Sequence, residues 1–232
     1  MKEMKSGCDT DKCMMCRMCI HDWQPAIKAH RSNFKVKKGE LLFRENDIVK
    51  GIFFVYEGLF KVHKHWDDGK ELIVRFAGTG DIVGHRGLGK DPYFPVSATA
   101  IESSVVCHVG LDFFNSTLKV NNEFIFSLLM FYASELQESE RNMRNLAHMP
   151  VKGRIAQALL LLNEKFGTEV DGSIKINISR QDLASYAGTS YETLFRMLNE
   201  LVAEEIVRLD EKRIIIADES RLKSLTSSQP IQ

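Results

Sequence analysis

Net charge is what this 232-residue chain most plainly lacks: 31 Lys and Arg balance 31 Asp and Glu. With no bulk basic field, any nucleic-acid binding has to come from a local surface. Long apolar runs are missing too, and none reaches the ~18 residues that span a bilayer. Residues 1–22 are polar and rich in cysteine, with no apolar stretch of the kind that makes a signal peptide. A cytoplasmic chain with no membrane partner is therefore expected. There is no P-loop, no nucleophile elbow and no His-Glu-x-x-His zinc motif, so enzymatic activity is not expected. No internal repeat is visible. Glycine and proline are absent between Leu111 and Met149, which removes the usual breakers from that stretch.

Cysteine is present and unevenly placed. Cys8, Cys13, Cys16 and Cys19 crowd the first twenty residues, and Cys107 stands alone. In a reducing compartment such clustering reads as metal ligation or redox sensing, not as a disulfide framework. Cys13-x2-Cys16-x2-Cys19 brings three thiolates within reach of one group. A [4Fe–4S] cluster takes four, which makes Cys107 the remote candidate and Cys8 the spare. A second set, Cys8, Cys13, Cys16 and Cys19, is local and can hold zinc or a cluster without Cys107. Cys107 would then be a buried structural cysteine. An iron–sulfur electron carrier is the reading from another class, but it leaves most of the chain unexplained.

The texture of the sequence changes three times. Residues 1–31 hold the cysteines and a short segment around Trp23. Over 32–110, short apolar runs at 52–56 and 72–76 alternate with glycine-bearing turns, as in a β-barrel or jelly roll. Over 111–149 a long helix is expected. Leu129, Leu136 and Met143 recur every seven residues, with Tyr132 and Leu146 offset by three, the pattern of a dimerisation seam; the polar tract 137–142 interrupts it, and a long helix half covered by its own domain is the alternative. Pro150 ends or kinks that helix.

Residues 150–232 form a second compact unit. A helix is expected over 153–166, a short strand over 174–178, and a helix opened by Ser179 with Asp182 three residues on. That helix ends near Gly188, and Ser190 caps the next, over 191–203. Runs 206–209 and 213–217 suit the two strands of a wing. Two short helices and a tight turn fit a helix-turn-helix. The 3.6-residue period puts Leu194, Leu198, Leu201 and Val202 inside and Tyr191, Glu192, Phe195, Arg196 and Asn199 outside. Arg196 can donate a bidentate pair to guanine, Glu192 can accept from cytosine, and Phe195 suits a thymine methyl.

The segments Gly153-Arg154-Ile155-Ala156-Gln157, Ile178-Ser179-Arg180-Gln181-Asp182-Leu183, Gly188-Thr189-Ser190-Tyr191-Glu192-Thr193 and Gly80-Asp81-Ile82-Val83-Gly84 resemble the CRP/FNR superfamily of bacterial regulators. The resemblance implies an α+β chain: an N-terminal β-roll of the cyclic-nucleotide-binding kind, a long dimerisation helix and a C-terminal winged helix-turn-helix. It implies a homodimer on two-fold symmetric double-stranded promoter DNA, with RNA polymerase as a further partner. Ser190, Tyr191, Glu192, Phe195 and Arg196 would face DNA, with Arg180 on phosphate.

The cyclic-nucleotide branch holds its phosphate with a Glu and an Arg-Ser or Arg-Thr pair. Here Gly84-His85-Arg86-Gly87-Leu88-Gly89 has no Glu, and the later pair is Val96-Ser97, so cAMP is not expected. The oxygen-sensing FNR branch is closer, through residues 80–89 and Glu102-Ser103-Ser104-Val105-Val106-Cys107. It implies a [4Fe–4S] cluster on Cys13, Cys16, Cys19 and Cys107, although FNR proteins have a longer gap before the third cysteine. FNR proteins also carry an acidic residue where this chain has Ser139, which implies a dimer that persists without a cluster. Haem-sensing relatives exist in the superfamily, and His63, His65, His85 and His108 are available; no spacing singles one out.

Overall fold

The computed structural model describes residues 1–4, 13–66 and 69–226. Cys8 lies outside them. The chain divides into two compact units, Met1–Leu136 and Gln137–Gln232.

The first unit is built on two antiparallel sheets. Strands β1 (Lys2–Met4), β2 (Arg31–Val36), β4 (Gly51–Glu57), β7 (Ile82–Val83) and β9 (Ser104–Gly110) form one, in the order β1-β2-β9-β4-β7. Strands β3 (Leu41–Phe43), β5 (Phe60–Trp66), β6 (Lys70–Ala77) and β8 (Ser97–Ala100) form the other, in the order β3-β8-β5-β6. Between β4 and β5 the chain turns at Gly58, with φ of 99°; a Cβ there would lie 2.2 Å from Ser104 Oγ, so only glycine fits.

The five-stranded sheet is buried on both faces. On β4, Phe53 and Val55 join one core with Val36, Phe60 and Val106. Ile52 and Phe54 point the other way, into a second core. Alternation along a strand produces this split, and burial on both faces explains the unbroken apolar run at 52–55. The second core is closed by helices α1 (Met14–Met18), α2 (Gln24–His30), α3 (Leu111–Val120) and the start of α4 (Asn122–His148) through Met15, Ile27, Phe114, Phe124 and Leu128. Trp23 ties the N-terminal segment down: it stacks on Phe113 and donates from Nε1 to Thr117 Oγ1 at 3.1 Å.

The helix expected over 111–149 is two helices. The break falls at Asn121, whose backbone leaves the helical region at φ −119°, ψ 86°. Its buried side chain accepts from Ile20 N at 2.8 Å and donates to Thr117 O at 2.9 Å. A tertiary bond thus sets a break that no glycine or proline announces.

The second unit packs α5 (Val151–Phe166), α6 (Arg180–Tyr186), α7 (Tyr191–Ala203) and α8 (Glu219–Ser224) with a wing of β10 (Val207–Asp210) and β11 (Arg213–Ile216). Ile155, Leu159, Leu183, Leu194 and Leu201 are fully buried. Ser179 and Ser190 accept from the backbone N–H of Asp182 and Thr193, satisfying donors that the first helical turn leaves open. The strand expected at 174–178 is not formed: only isolated bridges, Thr168 to Ile174 and Ser173 to Ile215, occur there.

Candidate functional site

Helix α7 presents two sharply different faces. Leu194, Leu198 and Leu201 are buried, while Tyr191, Phe195 and Arg196 are exposed with Glu192 and Asn199 beside them. Phe195 keeps 57% of its surface in water, a large apolar exposure on a helix that begins at a clean cap. Val202, expected inside, is exposed at the helix end. Arg180 begins α6 and is half-buried, with Nη2 3.5 Å from the Arg213 carbonyl of the wing. Burial lowers its pKa.

One residue of this region escaped sequence reasoning. Arg154 on α5 donates to the carbonyls of Ala187, Gly188 and Met149 at 3.0, 3.1 and 3.0 Å. It fixes the turn between α6 and α7, where Gly188 adopts φ 63°. Its signal was present in Gly153-Arg154, but carbonyl acceptors leave no trace in sequence.

The exposed apolar residues of α4 include Leu129, Leu136, Met143 and Leu146. Ser139 is exposed as well. Ile125, Phe126 and Met130 extend the apolar surface beyond the heptad positions read from sequence. Tyr132 does not belong to it. Its ring packs against the second core and its hydroxyl donates to the His85 carbonyl, so it faces the sheets instead of a seam.

Beside it stands Glu135, 15% exposed, with Oε2 2.7 Å from Arg86 Nη2 and 3.6 Å from His85 Nε2, and Oε1 3.4 Å from Arg75 Nη1. Burial alone would raise its pKa. The nearness of His85, Arg75 and Arg86 outweighs that and holds it at about 2. Burial lowers the pKa of His85, which favours its neutral form. In the β-roll, Ser97 is buried and its Oγ accepts from Glu45 N at 2.9 Å, so this member of the Val96-Ser97 pair is already engaged within the fold.

Cys13, Cys16, Cys19 and Cys107 are all buried in the second core. Cys13 is the N-cap of α1, Cys16 lies within it and Cys19 is its C-cap. Cys107 projects from β9 on the face shared with Val109. Burial, followed by the charge of a Cys13 thiolate, pushes the Cys19 thiol up to about 12. A thiolate there needs a cation to offset it. Four thiols in an apolar shell fit the donor chemistry of an iron–sulfur group.

A different set has the tightest geometry. Among the described residues, the metal-ligating atoms gathered within 4.8 Å of one another are those of His63, His65 and Glu71, on β5 and β6. The sequence reading singled out none of the histidines, and the facing Glu71 depends on register. His108 packs on Phe53 and Phe34.

Two family models match the chain: the cyclic nucleotide-binding domain over residues 33–121 and the Crp-like helix-turn-helix domain over residues 153–225. The chain is 29% identical over 185 residues to the anaerobic regulatory protein of Bacillus subtilis (strain 168), covering 78% of each chain. It is 26% identical over 187 residues to the CRP-like cAMP-activated global transcriptional regulator of Mycobacterium tuberculosis (strain ATCC 25618 / H37Rv), covering 80% of this chain and 84% of that one. FixK2 from Bradyrhizobium japonicum superposes with a TM-score of 0.77 at 24% identity, over 86% of this chain and 99% of the other. The fold and these matches define a DNA-binding regulator with a cyclic-nucleotide-binding-like domain. The chain is a transcription regulator of the CRP/FNR superfamily. Relatives of the anaerobic and the cAMP-activated kinds lie at similar identity, which places the superfamily and not the branch. No described helix is long and apolar enough to cross a membrane.

Proposed function

We propose that this chain binds two-fold symmetric promoter DNA as a homodimer and that its N-terminal unit senses a chemical signal. The observation that carries the DNA reading is the exposed face of α7, where Tyr191, Glu192, Phe195 and Arg196 stand on a rigid helix capped by Ser190. Such residues at the start of a recognition helix reach base edges in the major groove. Arg180 and Ser190 would flank them on phosphate. Each subunit supplies one such helix, so half-sites should lie about one helical turn, ~34 Å, apart. Leu129, Leu136, Ser139, Met143 and Leu146 would form the seam. RNA polymerase is the further partner that the family suggests.

Binding selection from a random DNA library tests this reading. Arg196→Ala should relax the preference for one guanine and cost roughly 1–3 kcal/mol. An unchanged consensus would remove Arg196 from the reading surface.

For the signal, the buried thiols support a [4Fe–4S] cluster held by Cys13, Cys16, Cys19 and Cys107. Such a cluster would supply oxygen and redox sensitivity. The chain would contribute the apolar shell that limits solvent access, through Met15, Ile27, Phe114 and Phe124. A second reading, a regulator without a cluster, is favoured by one observation. Among the described residues, the three donor atoms close enough to share a single ion are those of two imidazoles and a carboxylate, not thiols. Haem, zinc on the N-terminal cysteines or another small ligand would then carry the signal. Anaerobic purification with iron and sulfide analysis separates the two. Iron that falls away in Cys107→Ser supports the cluster; a colourless wild-type protein excludes it.

A further inference from the structure

We propose that His63, His65 and Glu71 form a binding site for one divalent transition-metal ion of borderline softness, zinc in the first instance, on the β5–β6 hairpin. It is independent of the thiols and of the DNA-binding surface.

The strands create the site. His63 and His65 are two residues apart on β5 and so share a face. Glu71 on β6 is the register partner of His65, and an irregularity between Val62 and His63 adjusts the ladder just before the site. Glu71 Oε2 lies 3.0 Å from His63 Nδ1 and 3.7 Å from His65 Nε2. Bonds of ~2.0–2.1 Å around a tetrahedral zinc place neighbouring donor atoms roughly 3.3–3.4 Å apart. The two observed separations bracket that value.

The surroundings orient each donor. His63 is 2% exposed, and its Nε2 pairs with Thr99 Oγ1 at 2.8 Å. That leaves Nδ1 turned toward the carboxylate, 3.0 Å from Glu71 Oε2. A buried ring nitrogen in this position is poised for a ligand that bonds along its lone pair. Glu71 Oε1 accepts from Lys61 Nζ at 2.6 Å, so Oε2 remains the oxygen that faces the imidazoles. Hydrogen bonds of this type, made to the far side of a ligand, fix ring tautomer and carboxylate orientation in metal sites. His65 is 57% exposed and gives the ion a path from solvent. Two imidazoles and one carboxylate suit zinc, copper, nickel or iron(II) and leave positions open for water. The charge of Lys61 opposes the cation and sets the affinity below that of a thiolate centre.

The test uses the full chain. Zinc is titrated calorimetrically into wild type, His65→Ala, Glu71→Gln and Thr99→Val, and cobalt(II) spectra are recorded on the same proteins. His65 is exposed, so its replacement leaves the core intact; thermal melts verify folding of every variant. Wild type should bind one more equivalent than His65→Ala. The cobalt difference spectrum between them should lack a thiolate charge-transfer band. Thr99→Val should weaken binding by ~10–100-fold. Equal zinc stoichiometry in wild type, His65→Ala and Glu71→Gln would overturn the proposal and leave an ordinary ion-pair cluster. A thiolate band in the difference spectrum would overturn it too, because the ion would then sit on cysteine. DNA affinity on the same variants reports separately on the regulator reading.

Discussion

The two units differ in where they keep their chemistry. Among the described residues of 1–136 most of the reactive groups are inside: four buried thiols, the Glu135 network and a histidine, His63, at 2% exposure, with His65 at the surface. In residues 137–232 they are outside, as Phe195 and Arg196 stand on the open face of α7. A buried group serves folding and ligand binding together, because any change alters solvation and pairing at once. An exposed group can be altered with little effect on the fold. The first unit should therefore respond to substitution in stability, and the second in recognition.

Glu135→Ala should show the largest effect. It removes the carboxylate shared by Arg75, 8% exposed, and Arg86, and uncovering such a pair costs about 3–5 kcal/mol. Urea denaturation measures it. The same group gives a pH dependence. Its folded pKa of about 2 lies below the ordinary 4.5, so its stabilisation is complete above about 4.5 and is lost as pH falls toward about 2. His85 acts in the same direction: its folded pKa is lowered below 6.5, so acid favours the unfolded chain. Glu135→Gln should flatten the acid limb below pH ~4.5. An acid limb as steep as that of wild type would show that Glu135 does not drive it.

Neighbouring residues on α7 sharpen the comparison within one helix. Leu194 is fully buried and Phe195 is 57% exposed. Leu194→Ala should cost ~2–5 kcal/mol, and Phe195→Ala should stay within ~0.5 kcal/mol. Thermal melts of both decide it; equal losses would mean that the aromatic ring is covered. The cap falls between these two. Ser190→Ala removes the acceptor for the Thr193 N–H at 3.2 Å and should cost about 1 kcal/mol, read from the shift in urea midpoint.

Features governed by neighbours in sequence were legible. Helix α7 begins where Ser190 caps it and ends at Ala203. Strands β4 and β6 enclose the apolar runs at 52–56 and 72–76. Features governed by distant partners were not. The break at Asn121 depends on Ile20, 101 residues away. Residues 174–178 are apolar enough for a strand but have no ladder to join. Tyr132 keeps a heptad position, yet the His85 carbonyl turns it inward. Among the candidate ligands, the N-terminal cysteines announced themselves by spacing, and Cys107 only through the family resemblance. Glu71 could not, because its pairing with His65 is a matter of strand register.

Helix α4 makes a mechanical coupling unavoidable. Glu135 and Leu136 are consecutive residues, one gripped by Arg75 and Arg86, the other 61% exposed. On a rigid helix their directions differ by a fixed angle of about 100°. Any roll of this stretch about its own axis that slackens the grip on Glu135 swings Leu136, and Leu129 with it, through the same arc. The ion pairs on Glu135 therefore fix the angle at which this stretch of α4 presents Leu129 and Leu136.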